Sequence, residues 1–203
     1  LNGRRETCFG AEQQTAAALG MDPYVLMHQE AGRSPIGANR LLFLPYLMGE
    51  RTPHLDPDCR GAFIGLSAMH GRPDLVRAVM EGVTYALNDS MNILRGMGVN
   101  PAQMLAVGGG GKSRVWRQML ADVYGCDVCT PASTEGAALG AAILAGVGAG
   151  LYESVPAACE KLITLRDTSA PISDAQPVYA RFYQLYTELY PALQDSFAKL
   201  QTL

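Results

Sequence analysis

The spacing of apolar residues divides the chain into segments with helical periodicity and segments with the character of strands. Apolar residues recur at steps of three and four from Pro73 to about Met97, and a second helical pattern runs from Lys112 to near Gly125. The continuous apolar run 41–44 is typical of a buried strand. The run 62–66 predicts the next strand, and Gly65 within it indicates a bulge or a close backbone approach. Strands that alternate with helices in this way indicate an α/β fold.

Shorter patterns complete the predicted elements. Helices are predicted over residues 11–19, 23–31, 134–150, 155–162 and 178–200, strands over 104–107 and 127–130, and a loop over 166–177. The small residues of the 134–150 segment predict a helix that is packed on nearly all sides. The aromatic residues of the last helix predict core positions rather than a cofactor site; they are Tyr179, Phe182, Tyr183, Tyr186 and Tyr190.

The stretch from Met104 to Tyr124 combines a strand, a glycine loop and the start of a helix. The apolar run Met104 to Val107 predicts a short buried strand. The glycines that follow it are Gly108, Gly109, Gly110 and Gly111. Glycines permit positive φ and a closely approaching ligand, and the first turn of a helix offers unpaired N–H groups and a positive dipole end. This combination predicts a phosphate site, with a ligand-free turn as the alternative.

Two named motifs compete for these glycines. The P-loop pattern G-x-x-x-x-G-K-[ST], counted back from Lys112 and Ser113, requires a glycine at position 106, where the chain has Ala106. The dinucleotide pattern G-x-G-x-x-G requires its third glycine at position 113, which is Ser113. Neither motif is complete, and the dinucleotide interpretation is the weaker of the two.

Composition narrows the class of protein. A chain of 203 residues, 48% of them hydrophobic, is about the size of one domain, and we expect one domain. The net charge of −3 with scattered basic residues argues against nucleic acid and membrane as partners. Since no apolar run reaches the roughly 18 residues of a membrane span and no signal peptide is recognisable, we expect a cytoplasmic protein. A chain that starts at Leu1 rather than Met also indicates a piece of something longer.

The cysteines and histidines predict no metal site. The cysteines are Cys8, Cys59, Cys126, Cys129 and Cys159, an odd number that argues against a disulfide framework. Cys126 and Cys129 form a C-x-x-C pattern, but in a strand residues three apart point to opposite faces. We expect His28, His54 and His70, which are scattered, at surface or capping positions.

The loop from Tyr46 to Pro57 follows the predicted strand 41–44 and carries charges of both signs. Loops at the ends of buried strands are where α/β proteins usually build their sites, so this loop is a second candidate. The alternative is a solvated connection in which Glu50 and Arg51 form an incidental pair.

Several of these segments together resemble the C-terminal domain of the FGGY carbohydrate kinases. The resemblance is carried by residues 41–67, by the glycine stretch and by the segment T-E-G-A-A-L-G-A-A-I that follows it. It is carried most specifically by the run from Gly61 to Glu81, which matches the family signature G-x-F-x-G-L, seven residues, then D-L-x-x-A-V-M-E. The resemblance extends from Asp22 to Leu200.

The resemblance implies an actin-like, hexokinase-type (ribonuclease H-like) ATPase fold, a mixed sheet flanked by helices. Residues 1–203 would then be the C-terminal, ATP-binding half of a two-domain kinase. The family loop reads Gly-Gly-Gly-Ala-Lys-Ser, so Gly111 stands in place of an alanine. By resemblance, Gly109 and Gly110 contact the α-phosphate and ribose, Ser113 lies near the adenosine, and Lys112 holds no phosphate. The predicted nucleotide-binding residues are therefore Gly108, Gly109, Gly110, Gly111 and Ser113.

The family's phosphate-binding aspartate motif and its catalytic aspartate lie upstream of the aligned region, so the resemblance places no catalytic residue and no metal ligand in this chain. It implies ATP and Mg²⁺ as cofactors and a sugar substrate, D-xylulose first, with gluconate, ribulose, glycerol and erythritol as alternatives. A homodimer is one expected assembly, and the isolated chain is expected to be inactive. A non-catalytic nucleotide-binding module and a P-loop NTPase are the alternatives from other classes.

Overall fold

The computed structural model describes residues 10–133 and 136–202, and these residues form two compact units. The first unit runs to Asn100 and resumes at Ile172, and the second is Pro101–Pro171. The first unit contains α1 (Gly10–Leu19), α2 (Pro23–Ala31), β1 (Leu42–Leu44), β2 (Ala62–Ile64), α3 (Arg72–Gly96) and α8 (Gln176–Leu200). The second contains β3 (Gln103–Leu105), α4 (Gly108–Lys112), α5 (Arg114–Tyr124), β4 (Asp127–Pro131), α6 (Gly136–Gly148), α7 (Val155–Leu162) and β5 (Leu165–Ser169).

The core of the first unit is built where α3 packs on β1. Strands β1 and β2 are antiparallel, with Phe43 opposite Phe63, and all three residues of β1 are buried. A Cβ on Gly82 of α3 would lie 2.1 Å from the carbonyl oxygen of Phe43. The helix therefore reaches the strand backbone at a distance that only glycine allows.

The second unit is organised by a mixed three-stranded sheet in the order β3-β4-β5. Strand β3 is parallel to β4, with Met104 opposite Val128, and β5 is antiparallel to β4, with Thr168 opposite Cys129. A mixed sheet with flanking helices is the arrangement that the family resemblance implied.

Local capping explains why several helix boundaries were predictable. The carboxylate of Asp22 accepts a hydrogen bond from the N–H of Tyr24 at the start of α2, and Ser154 caps α7 in the same way through Ala157. At the end of α5, Gly125 is left-handed with φ of 66°. Gly65, with φ of 89°, lies against the backbone of Arg40, which confirms the predicted close approach.

Two predictions for the stretch around the glycines are wrong. The glycines do not form an open loop, because residues 108–112 close into a short helix that follows Val107. The run 104–107 is not a buried strand: β3 lies at the edge of the sheet, and Leu105 and Val107 are 42% and 61% exposed. The apolar pattern located the strand but could not show that it lacks a neighbour on one side among the described residues.

Two further predictions fail for physical reasons. Residues 165–169 form a strand and not a loop, because antiparallel pairing with β4 requires backbone groups and not an apolar sequence. Helix α6 is not packed on nearly all sides: of its described residues only Ile143 and Gly146 are buried. Small residues raise the average hydrophobicity of a segment without defining a buried face. The predicted start of this helix at Thr134 and Glu135 lies outside the described residues.

The remaining helices agree closely with the prediction. Helix α8 spans Gln176–Leu200, and its residues Tyr179, Tyr186 and Tyr190 are buried as core positions. Among the described residues, no helix combines the length and the apolar character required to cross a membrane.

Candidate functional site

A cavity of about 260 Å³ lies in the second unit, beside the glycine helix α4. It is bounded by the segment that leaves β3, by α4, by the end of β4 and by the first residues of β5. Its lining residues are Ala106, Val107, Gly108, Gly109, Gly111, Lys112, Thr130, Pro131, Ser133 and Arg166. The end of two neighbouring strands and the start of a helix therefore meet at one concave surface, as is usual for ligand sites in α/β proteins.

Each glycine of α4 has a different environment. Gly108 has φ of 73°, and an added Cβ at Gly108 or Gly109 would meet no atom within 4 Å. Gly111 is buried, and its Cβ would lie 2.4 Å from the carbonyl oxygen of Ala106. An alanine at this position would require the backbone of this chain to shift. Gly108 and Gly109 thus leave space beside the cavity, whereas Gly111 permits tight packing.

The structure brings together only part of the predicted site. Gly108, Gly109 and Gly111 line the cavity, while a Cβ on Gly110 would point at the ring of Trp116, 3.3 Å away. Ser113 is buried, and its Oγ accepts a hydrogen bond of 3.2 Å from the N–H of Trp116 at the start of α5. The role of these five residues in binding a nucleotide stays a prediction.

The polar groups at this cavity suit an anion. The cations Lys112 and Arg166 line it together with the hydroxyl-bearing residues Thr130 and Ser133. Lys112 is exposed to solvent, and the side chain of Arg166 is 52% exposed. Guanidinium and ammonium groups form charge-assisted hydrogen bonds with phosphate oxygens, so this lining favours a phosphate-bearing ligand.

Asp167 connects the groups around the cavity. Its Oδ2 accepts hydrogen bonds from Nε of Arg166 at 3.0 Å and from Oγ1 of Thr130 at 2.9 Å, and NH2 of Arg117 lies 3.8 Å away. The hydrogen bond from Arg166, followed by that from Thr130, lowers the pKa of Asp167. Asp167 therefore stays ionised and orients two residues of the cavity wall.

Arg117 stabilises the glycine helix α4 through a hydrogen bond to its backbone. This arginine is buried, and its NH1 donates a hydrogen bond of 2.6 Å to the carbonyl oxygen of Gly111. Sequence reasoning missed both Arg117 and Asp167. Arg117 gave no signal, because it lies outside the predicted apolar side of the helix and a charged residue there is expected to face solvent. Asp167 gave no signal because its segment was predicted as a loop.

The other candidate residues do not assemble into a reactive cluster. Within residues 10–133 and 136–202, no group of three or more histidine, cysteine or acidic side chains could hold a metal ion. Cys126 and Cys129 are buried and do not form a disulfide bond. In the loop 46–57, Glu50 accepts hydrogen bonds from the N–H groups of Arg51 and Thr52 rather than forming an ion pair, so its carboxylate organises the loop.

Comparison with known proteins shows which family the chain is similar to. Residues 4–149 match the C-terminal domain of the FGGY family of carbohydrate kinases. The chain is 40% identical to a xylulose kinase of Staphylococcus epidermidis over 173 residues, which is 85% of this chain and 35% of that protein. It is 35% identical to a gluconokinase of Bacillus subtilis over 198 residues, or 97% of this chain and 38% of that protein.

The structure also resembles solved members of the family. The crystal structure of a ligand-bound xylulose kinase from Lactobacillus acidophilus superposes with a TM-score of 0.84 at 30% identity, over 98% of this chain and 38% of that one. The chain belongs to the FGGY family of carbohydrate kinases and has the actin-like ATPase fold of its C-terminal domain. It spans little more than a third of the length of these relatives.

Proposed function

We propose that this chain is the nucleotide-binding, C-terminal domain of an ATP-dependent sugar kinase. The observation that carries the proposal is the cavity beside α4, where two cations, two hydroxyl-bearing residues and an unobstructed glycine backbone meet. Membership of a carbohydrate kinase family supports the same function. A cavity of about 260 Å³ is smaller than most whole-ligand sites, so we assign to it one part of ATP or ADP, the phosphate region.

The residues present fit a nucleotide in distinct ways. Gly108 and Gly109 let the nucleotide approach the backbone. Arg166, which Asp167 orients, would face the negative charge of the nucleotide. Lys112 is exposed at the rim of the cavity, where solvent screens its charge, so we assign it only a small contribution to nucleotide binding. By resemblance, Gly110 and Ser113 also belong to the site through their backbone. When bound, ATP would supply the phosphoryl group and Mg²⁺ would neutralise part of its charge. The role of this chain would be to bind and orient the nucleotide.

The proposed reaction is transfer of a phosphoryl group to a hydroxyl group of D-xylulose. Similarity to xylulose kinases supports this substrate. Gluconate is the second candidate, because the similarity to the Bacillus gluconokinase extends over 97% of the chain. The 203-residue chain alone is expected to phosphorylate neither sugar, since the resemblance places the catalytic aspartate outside it. Turnover of either sugar by this chain would contradict that expectation.

Calorimetry with ADP tests the nucleotide site. Gly109→Val places a β-branched side chain in the open space beside the cavity, so we expect ADP affinity to fall at least about tenfold with a small change in melting temperature. Gly140→Val in α6 is the matched control, because an added Cβ there also meets no atom within 4 Å.

The outcomes separate cleanly. If the wild-type chain binds ADP and only Gly109→Val loses affinity, the cavity is the nucleotide site. If both variants lose affinity in proportion to their loss of stability, the glycine helix is structural and the assignment is wrong. If the wild-type chain does not bind ADP at all, this chain is not a nucleotide-binding domain by itself.

A further inference from the structure

A second cavity, of about 380 Å³, lies in the first unit, between the second half of α3, α8 and the loop 46–57. It belongs to a different unit from the cavity beside α4. Its lining is mainly aromatic and consists of Tyr46, Pro53, His54, Asp89, Asn92, Ile93, Tyr183, Tyr186, Thr187 and Tyr190. We call it the aromatic cavity.

The rings of the aromatic cavity hold one another in fixed orientations. His54 stacks on Tyr190 with ring centroids 3.8 Å apart, and Tyr46 meets Tyr190 edge to face at 6.1 Å. Tyr183 and Tyr186 lie nearly parallel, with an interplanar angle of 16°. Such rings offer preorganised π faces, which attract cations through their quadrupole.

Hydrogen bonds inside the protein occupy most of the lining hydroxyl groups. Tyr186 donates to the hydroxyl of Tyr46, Tyr190 donates to Asp56, and Thr187 donates to the carbonyl oxygen of Gln184. Tyr183 donates a short hydrogen bond to Oδ1 of Asp89. A polyhydroxyl ligand needs free donors as well as acceptors, and these four hydroxyl groups have already used their donors.

Asp89 gives the aromatic cavity a negative charge. The lining contains no lysine or arginine among the described residues, and Asp89 is only partly exposed between the rings. Burial raises the pKa of Asp89, against the opposing effects of the hydrogen bond from Tyr183 and of the nearby His54. The desolvation of this carboxylate therefore outweighs the favourable effects of Tyr183 and His54.

We propose that the aromatic cavity is a binding site for a small organic ammonium ion, with Asp89 as its counter-ion and the tyrosine rings as its walls. An ammonium ion would add positive charge beside the carboxylate and offset its desolvation, and its methyl or methylene groups would contact the ring faces. The proposal is independent of the nucleotide site, because it rests on residues of the first unit alone.

A titration with choline and with its uncharged carbon analogue 3,3-dimethylbutan-1-ol tests the proposal on the 203-residue chain. At pH 8, where carboxylates are ionised, we expect choline to bind and to shift the aromatic proton resonances of the tyrosines. The uncharged analogue has the same shape, and its affinity should be at least about tenfold lower because it lacks the charge.

Asp89→Asn keeps an acceptor for Tyr183 and removes only the charge, so choline affinity should also fall by about tenfold. The matched control is Asp195→Asn, an equal change of charge at an exposed position of α8, and it should leave choline binding unchanged. No binding of choline to the wild-type chain overturns the proposal. Equal binding of the two compounds, or equal binding by Asp89→Asn and wild type, overturns it as well.

Discussion

Arg77 of the first unit and the two cations beside the cavity of the second unit have opposite environments. In the first unit, Arg77 is buried and its side chain is fully engaged: Nε contacts Oε1 of Glu81 at 2.6 Å, and NH1 donates to the carbonyl oxygen of Ser34 at 2.8 Å. Its NH2 donates to the hydroxyl of Tyr179, 102 positions further along the chain. In the second unit, Lys112 and Arg166 are exposed around a cavity.

The buried arginine belongs to the scaffold, whereas the exposed cations belong to the candidate site. The carboxylate of Glu81 also accepts a hydrogen bond from the N–H of Gly37, so the Arg77–Glu81 pair joins α3 to the loop before β1 and to α8. Such a pair gives specific geometry rather than much net stability, because desolvation offsets its attraction. Lys112 and Arg166 instead stay exposed beside the cavity, where Asp167 accepts a hydrogen bond from Arg166 and a ligand can still reach both cations.

Breaking the buried pair should give the largest effect. Arg77→Met leaves Glu81 buried without its partner, and we expect the free energy of unfolding to fall by about 3–5 kcal/mol. Urea denaturation, monitored by circular dichroism, measures this free energy of unfolding. The double variant Arg77→Met with Glu81→Leu should recover much of the loss, because it removes both charges. A loss below about 1 kcal/mol in the single variant would contradict a structural role for this pair.

Two glycines test whether the units differ in packing. Gly82→Ala in α3 should destabilise the protein by about 1–3 kcal/mol, because its Cβ would lie 2.1 Å from the carbonyl oxygen of Phe43. Gly140→Ala in α6 meets nothing within 4 Å and should stabilise the helix by about 0.5–1 kcal/mol. Thermal unfolding of both variants provides the measurement. Similar changes in both would show that α6 is as tightly packed as α3.

Asp74 should make stability depend on pH. Burial disfavours its carboxylate, but hydrogen bonds from Ser34, the N–H of Gly71 and Asn39 outweigh burial and lower its pKa. A lowered pKa in the folded state contributes stability above the unfolded value of about 3.9, and this contribution is lost as pH falls through the folded value.

The difference in unfolding free energy between wild type and Asp74→Asn should therefore shrink as pH falls from 6 to below about 4. Asp195→Asn, at an exposed position, is the control and should show little difference at any pH. A difference between wild type and Asp74→Asn that stays constant down to pH 2 would mean that the hydrogen bonds do not favour the ionised form.

Lys112→Ala should give the smallest effect. An exposed lysine at the cavity rim contributes little, so ADP affinity should change by less than about threefold. A P-loop lysine forms a charge-assisted bond to phosphate, and its loss would cost more than about tenfold. Calorimetry with ADP distinguishes an exposed rim lysine from a P-loop lysine. A loss well beyond tenfold with an unchanged melting temperature would mean that Lys112 holds a phosphate as a P-loop lysine does.

Prediction from sequence succeeded where local interactions decide the structure. The start of α2 follows from the Asp22 cap and Pro23, and the end of α5 follows from the left-handed Gly125. It failed for α6, where small residues carry no information about which face is covered, and for β5, where pairing depends on a partner strand distant in sequence. The glycine stretch was correctly placed between a strand and a helix, but it was predicted as a loop and it forms a short helix.

The sequence by itself determined the helices with regular apolar spacing, the strand β1 and the family signature from Gly61 to Glu81. These features depend on residues that are close along the chain. Only the tertiary structure decided that Gly109 borders a cavity while Gly110 faces Trp116, and that Arg117 holds the carbonyl oxygen of Gly111. These contacts depend on how a helix is rotated and on which elements pack beside it, and neither is set by local spacing.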